Sequence, residues 1–235
     1  MKTQLFSLGT VMLGAIIVLH SCSKDDATGG GKLSYQVKPA NFTASVSSNV
    51  ASSGLIVNVN SNSSLTWTSG NANISEIDFE AKSNNVEIEH ELKNMVNVDL
   101  FNLSPVLGSI SIPDGTYDEV ELKLDLKQST NTAIPLTLKG MYTNGSGAKM
   151  PVEFYFNEDF EIKVEAEDLV VNGTNDYLGL INVQLNKFLS KVSSSDLDGA
   201  TKTNGTIVIS SASNPELYSK LKSNLNAFGN CDFED

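Results

Sequence analysis

Apolar and polar residues alternate with a period of two from Leu33 to about Val171, in short runs separated by Gly, Asn, Ser and Pro. Such runs build strands with one buried and one wet face, so they predict a mainly β, antiparallel domain. Leu33, Tyr35 and Val37 alternate with polar neighbours, and so do Leu55, Val57 and Val59, with Ile56 as the one intruder. Ile77, Phe79 and Ala81 lead through the turn Ser83-Asn84-Asn85 to Val86, Ile88 and His90, and Val96, Val98 and Leu100 follow. The longest run covers 116–126: Val120, Leu122, Leu124 and Leu126 share one face, and Glu119, Glu121, Lys123 and Asp125 the other. Val152, Phe154 and Phe156 predict a hairpin with Phe160, Ile162 and Val164 through Asn157-Glu158-Asp159. Two sheets with such inner faces stack about 10 Å apart as a β-sandwich, immunoglobulin-like or transthyretin-like.

After Asn172-Gly173 the pattern changes. Leu180, Ile181, Val183, Leu185, Phe188 and Leu189 recur at helical spacing and predict a helix over 181–191. Residues 206–210 read as one more strand. Asn214-Pro215-Glu216 opens a second helix, with an N-cap and proline at the first helical position and Leu217, Leu221 and Leu225 on one stripe. These helices are too short to stand alone, so residues 173–235 are expected to form an α/β extension packed on a sandwich spanning 32–172, with a separate small domain as the alternative.

Residues 1–31 read as an address. Lys2 supplies a positive start, and residues 5–19 are apolar apart from Ser7, Gly9, Thr10 and Gly14, the pattern of a secretory signal. A membrane span needs roughly 20 apolar residues, and this run stops at His20. Leu19-His20-Ser21-Cys22 resembles the bacterial lipobox, which implies a signal peptide over 1–21 and lipid on Cys22. Ser23-Lys24-Asp25-Asp26 is similar to the lipoprotein export signal of Bacteroidota, which implies an outer-membrane protein displayed on the outer leaflet; a solvated linker is the plainer reading. Ala27-Thr28-Gly29-Gly30-Gly31 completes a flexible tether over 22–31.

Composition narrows the chemistry. Removing residues 1–21 takes away one charge, that of Lys2, and leaves the already acidic chain (net −12) more so. Nucleic acid and anionic surfaces are therefore poor partners for the folded part. Every cation is a lysine, so no guanidinium fork exists to clamp phosphate or carboxylate, and no arginine-specific protease has a site. With Cys22 lipidated, Cys231 has no partner within the chain and a disulfide framework is excluded.

Val98-Asp99-Leu100-Phe101-Asn102-Leu103, followed by Ile112-Pro113-Asp114-Gly115-Thr116-Tyr117-Asp118-Glu119-Val120-Glu121-Leu122, resembles an uncharacterised Bacteroidota surface-lipoprotein family whose β-sandwich domain carries a D-L-L-x-L … P-x-G-x-Y core. Gly31-Lys32-Leu33-Ser34-Tyr35 is similar to that family's first strand. The resemblance spans roughly 31–165 and implies a surface-associated sandwich without naming a reaction. Independently, Pro113, Asp114 and Gly115 suit a tight turn, and Tyr117 is placed to return its hydroxyl to the turn backbone or else to lie on the surface.

Candidate sites are few. His90, the one histidine beyond the leader, has no adjacent nucleophile and reads as a structural residue on the Val86 and Ile88 face. One histidine and one remote cysteine leave too few ligands for zinc. Ser146-Gly147-Ala148-Lys149 and Ser219-Lys220-Leu221-Lys222 match S-x-x-K, but the first lies in a glycine turn and Lys202-Thr203-Asn204-Gly205 breaks the K-T-G partner, so both read as chance. Asp196-Leu197-Asp198-Gly199 offers two carboxylates to Ca²⁺ without the remaining ligands of an EF-hand. Trp67 is a candidate stacking platform for a sugar, against the commoner role of core residue. The resulting expectation is a non-enzymatic cell-surface lipoprotein that binds or adheres to a glycan or protein partner and uses no cofactor, Ca²⁺ being the one ion left open. A pilus-associated anchor or accessory subunit and a carboxylate-dependent envelope hydrolase are the alternatives.

Overall fold

The computed structural model describes residues 30–46, 63–83, 87–93, 96–102, 106–131, 133–173, 175–225 and 229–234. The proposed signal peptide, Cys22, the Ser23-Lys24-Asp25-Asp26 tag and the run Leu55, Val57, Val59 lie outside them, as does Val86.

The chain is mainly β, as the alternation predicts, and its arrangement is consistent with a β-sandwich. In the first sheet β1 (Gly30–Ala40) lies between β7 (Val106–Pro113) and β12 (Asp176–Gln184), with β15 (Gly229–Glu234) outside β12. In the second, β13 (Lys202–Thr203), β14 (Thr206–Ile209), β10 (Lys149–Phe156), β9 (Leu136–Thr143) and β3 (Ser64–Ile74) follow in order. The short strands β2 (Thr43–Ser45) and β6 (Val96–Asp99) pair with opposite ends of β3. The third runs β11 (Phe160–Val171), β8 (Gly115–Leu126), β4 (Glu76–Lys82), β5 (Glu87–Leu92). All pairings are antiparallel except β1 with β12 and β10 with β14.

The three sheets share one core. Val37 and Ile181 from the first, Ile74 and Leu136 from the second, and Leu124 and Ile162 from the third line a common, wholly apolar space. Corners pass the chain between sheets. At Ser75, both the backbone N–H and the hydroxyl donate to the Asp125 carbonyl, at 2.7 and 2.8 Å, so β3 turns directly into β4. The predicted hairpin through Asn157-Glu158-Asp159 is instead such a corner, because β10 pairs with β9 and β14 while β11 pairs with β8. Asn157 holds it by accepting from Ser129 N–H at 2.9 Å and donating to Ser129 O at 2.9 Å. At the third corner Tyr117, only 2% exposed, donates its hydroxyl to Pro113 O at 2.9 Å, which selects the turn-bonded of its two placements. Removing that hydroxyl in Tyr117→Phe is expected to cost about 1 kcal/mol, read as a lower urea midpoint at unchanged m.

The predicted helix over 181–191 is not formed. Residues 176–184 are strand β12, followed by a 3-10 turn, Lys187–Leu189. β12 is flanked by β1 and β15, and Tyr177, Leu180, Ile181 and Val183 are all buried. Its period of two survives, with Tyr177, Gly179, Ile181 and Val183 buried and Leu178, Asn182 and Gln184 half-buried, but Ile181 and Leu185 also fall at helical spacing from Phe188 and Leu189 of the turn that follows. The second predicted helix is α2 (Pro215–Lys222), preceded by the short α1 (Ser194–Asp198). Asn214 does not cap α2 with its side chain. It takes a left-handed conformation (φ 52°), which asparagine tolerates, and spends its amide on Thr201 and Val208. α1 is closed by a capping box between Ser193 and Asp196.

Candidate functional site

The outer face of the third sheet carries the most concentrated chemistry among the described residues. Period-two alternation sends Glu161, Lys163, Glu165 and Glu167 of β11 outward with Glu119, Glu121, Lys123 and Asp125 of β8 and Glu76, Asp78, Glu80 and Lys82 of β4. Glu87, Glu89 and Glu91 of β5 join them, with Lys93 just beyond its end. Twelve carboxylates thus stand against four lysines, which puts eight of the chain's net −12 charges on one face. Register makes the arrangement sharper. Glu165 pairs with Glu121, Glu121 with Glu80 and Glu80 with Glu89, so four glutamates form one row across all four strands. Like charges directly opposite destabilise a sheet, and this row places three such pairs side by side.

Lysines from adjacent rows relieve it. Glu121, at 6% the most buried of the four, is bonded by Lys123 and by Lys163 at 2.5 Å, and Lys163 also reaches Glu165 at 2.5 Å. Burial pushes the Glu121 carboxyl up, but the bonds from Lys123 and Lys163 outweigh it and hold the group below the usual carboxylate range. Lys82 bonds Glu80 and holds it low, and Lys93 bonds Glu91 at 2.5 Å. Glu76 goes the other way. A hydrogen bond shared with Glu91 raises it, with burial and Asp78 adding, while the same bond keeps Glu91 low. Asp78 is raised by burial and by neighbouring Glu91 and Asp125. A depression of about 310 Å³ lies over β4 and β5, lined by Asp78, Glu80, Glu89, His90, Glu91, Glu121 and Lys123.

Three trios have carboxylate oxygens within 4.8 Å of one another: Glu76, Asp78 and Glu91; Glu80, Glu87 and Glu89; Glu119, Glu121 and Glu165. Each trio already contains a lysine ammonium, from Lys93, Lys82 and Lys163 respectively. A hard cation would have to displace that ammonium to gather its oxygen ligands.

The pH dependence follows from these directions. Glu76 and Asp78, raised in the folded chain, contribute stability that is fully present below about pH 4 and lost as pH rises through their raised values. Glu80, Glu91 and Glu121, together with Glu153, Glu158 and Asp196, are depressed, so their contribution is present above about pH 4.3 and lost as pH falls through the folded values. The melting temperature is therefore expected to climb slightly as pH falls from neutrality through the raised values and to fall once pH drops below about 4, by circular dichroism. A profile that declines monotonically from neutrality would contradict the raised pair.

The residues singled out in the sequence fall elsewhere. Trp67 is 1% exposed and packs on Phe188 at 6.2 Å, so it takes the commoner core role and not that of the candidate sugar platform; its strand lies between β9 and β2 with the indole on the inner face. His90 shares a face with Ile88 as expected but is exposed, because β5 is the outermost strand of its sheet and its inner face is only half covered. Pro113, Gly115 and Tyr117 form the turn already described. Asp196 and Asp198 do not converge: Asp196 accepts from Ser193 and from Lys220 at 2.6 Å, and Asp198 from Tyr142 at 3.0 Å. Of the S-x-x-K matches, Ser146 is tied to Asn144 in a turn, and Lys222 of the second is engaged by Glu158. Cys231 lies in β15. The charged face was half legible: alternation in β8 exposed its acids, but only register aligns the glutamate row.

No family model matches the chain, and neither curated proteins nor solved structures give a match. No helix among the described residues is long and apolar enough to cross a membrane.

Proposed function

We propose that this chain is a non-enzymatic lipoprotein, anchored through Cys22 and displayed at the cell surface, that binds a partner through the charged face of its third sheet. The observation that carries the binding role is the row Glu165, Glu121, Glu80, Glu89. Four like charges in register repel and need lysines from adjacent rows to offset them, and a fold keeps such a feature where recognition uses it. A hydrogen-bonded sheet holds the backbone of these groups in place before binding, which lowers the ordering cost and favours a binding surface. The acidic, arginine-free composition suits a glycan, a protein or a divalent ion better than a phosphate-bearing ligand.

Two measurements test this reading. Cys22→Ala should abolish incorporation of labelled fatty acid and release the protein from the membrane fraction, and protease added to intact cells should degrade the wild type while periplasmic controls survive. The soluble fragment from Lys32 onward, probed on glycan and protein arrays with and without Ca²⁺, should bind, and Glu80→Gln with Glu121→Gln should weaken that binding. Membrane retention of the Cys22→Ala protein, or binding indifferent to both glutamates, would refute the respective half.

A carboxylate-dependent hydrolase is the second reading. One feature favours it: the hydrogen bond shared by Glu76 and Glu91 raises the first and lowers the second, the direction of split that an acid and a base require. Turnover of an envelope glycan that Glu91→Gln eliminates would establish it in place of binding alone.

A further inference from the structure

Anchoring at Cys22 and the position of β1 together determine which end of the domain meets the lipid. Gly30, eight residues beyond Cys22, is not loose: it pairs with Pro113 at the end of β7, and Gly31 with Ile112. A side-chain carbon on Gly31 would meet Tyr177 at 2.9 Å, Val171 at 3.0 Å and the Asn175 carbonyl at 3.1 Å, so the chain enters through a tightly filled gap. Two turns ring this gap, each pinned by a tyrosine. Tyr117 donates to Pro113 O at 2.9 Å on one side, and on the other Asn172 N–H donates to the Tyr177 hydroxyl at 2.7 Å.

We infer that this ring, made of the 113–115 turn, residues 171–173 and 175–176, and the start of β1, is the surface the domain turns toward the bilayer. The opposite end, with residues 127–131 and the 157–159 corner, then faces outward. This rests on the anchoring reading above. A leash of eight residues reaches at most about 29 Å and spans about 16 Å on average if flexible. From Gly115 to Leu126, β8 carries the sheet roughly 36 Å away from the ring. The leash is therefore too short for the domain to invert freely and present its far end to the lipid. The ring exposes Asp114, Asp168 and Asp176 against Lys32. Its repulsion from phosphate headgroups acts within a Debye length of about 8 Å at physiological salt, so the ring rides just above the surface instead of inserting. Val170, 61% exposed, is the one large aliphatic side chain offered to water among the described residues, and it lies at this same end, opposite Thr116.

The test uses the processed, lipidated full chain carrying Cys231→Ser, reconstituted in vesicles of phosphatidylethanolamine and phosphatidylglycerol with a fluorescent headgroup acceptor. A donor dye is placed at Asp114→Cys or, as a second ring position, Asp176→Cys, and compared with Asn131→Cys at the far end. Transfer from either ring position is expected to exceed that from position 131 at least about threefold, given the difference in height. Equal or reversed transfer in protein that floats with the vesicles overturns the orientation and leaves the anchor standing. A purified chain that bears no lipid on Cys22 and does not float overturns the anchor, and the orientation with it.

Discussion

Phe154→Ala is expected to lower the unfolding free energy by about 3–5 kcal/mol, a large part of the 5–15 kcal/mol that typically holds a domain together. Phe154 is fully buried and stands where the later part of the chain meets the second sheet: its ring contacts Phe188 edge-on at 5.0 Å and stacks on Tyr218 at 5.9 Å. Phe188 in turn touches Trp67 at 6.2 Å, and Tyr218 also stacks on Phe156 at 6.2 Å. Truncation leaves a cavity walled by strands on one side and helices on the other, which cannot collapse without breaking the β10 and β14 pairing. Urea unfolding gives the magnitude. A double-mutant cycle with Phe188→Ala gives the coupling, expected at about 0.5–3 kcal/mol because the two rings share one cavity. Strict additivity would mean that the rings act independently and that the segment after Asn172 is held mainly by its strands.

Gly140→Ala is the second large effect. Gly140 sits in β9 between Val152 and Trp67, and a methyl there would approach Thr66 O at 2.5 Å and the Trp67 ring at 3.0 Å. The first of these is backbone inside a paired strand, so relief requires moving β3 at the point where its register already shifts between Trp67 and Ser69. A cost at or above the upper end of about 1–3 kcal/mol is expected, with loss of near-ultraviolet tryptophan signal as Trp67 is displaced. Gly147→Ala is the control: its φ of +84° disfavours any side chain, but nothing lies within 4 Å, so the loss should be only about 1–2 kcal/mol and leave Trp67 unmoved.

Most strands were legible because a half-buried strand writes its geometry into every second residue; β8 and β4 are the clearest cases. Three features were missed, two of them for physical reasons. The alternation of Ile181 and Val183 in β12 runs on into Leu185, Phe188 and Leu189 of the following turn, and the combined spacing over 181–191 imitates a helix. Asn157-Glu158-Asp159 carries turn chemistry that a hairpin and a corner share, and only long-range pairing separates them. α1 was passed over for its two aspartates, although Ser193 followed three residues later by Asp196 is a capping signal readable from the chain alone. The same holds for the charged face. Each strand shows its own acids, but the coincidence of Glu165, Glu121, Glu80 and Glu89 depends on three registers that no single strand encodes.

The placement of β1 bears on how the molecule would withstand load. It is the innermost strand at the N-terminal entry, gripped along Lys32–Ala40 by β12 and along Gly30–Gln36 by β7. A tug on the leading end travels lengthwise down that strand, so its ladder bonds are strained together in shear and cannot be peeled open one after another. Under the proposed anchoring, a pull between the N-terminal tether and a captured partner would make the domain yield last at β1.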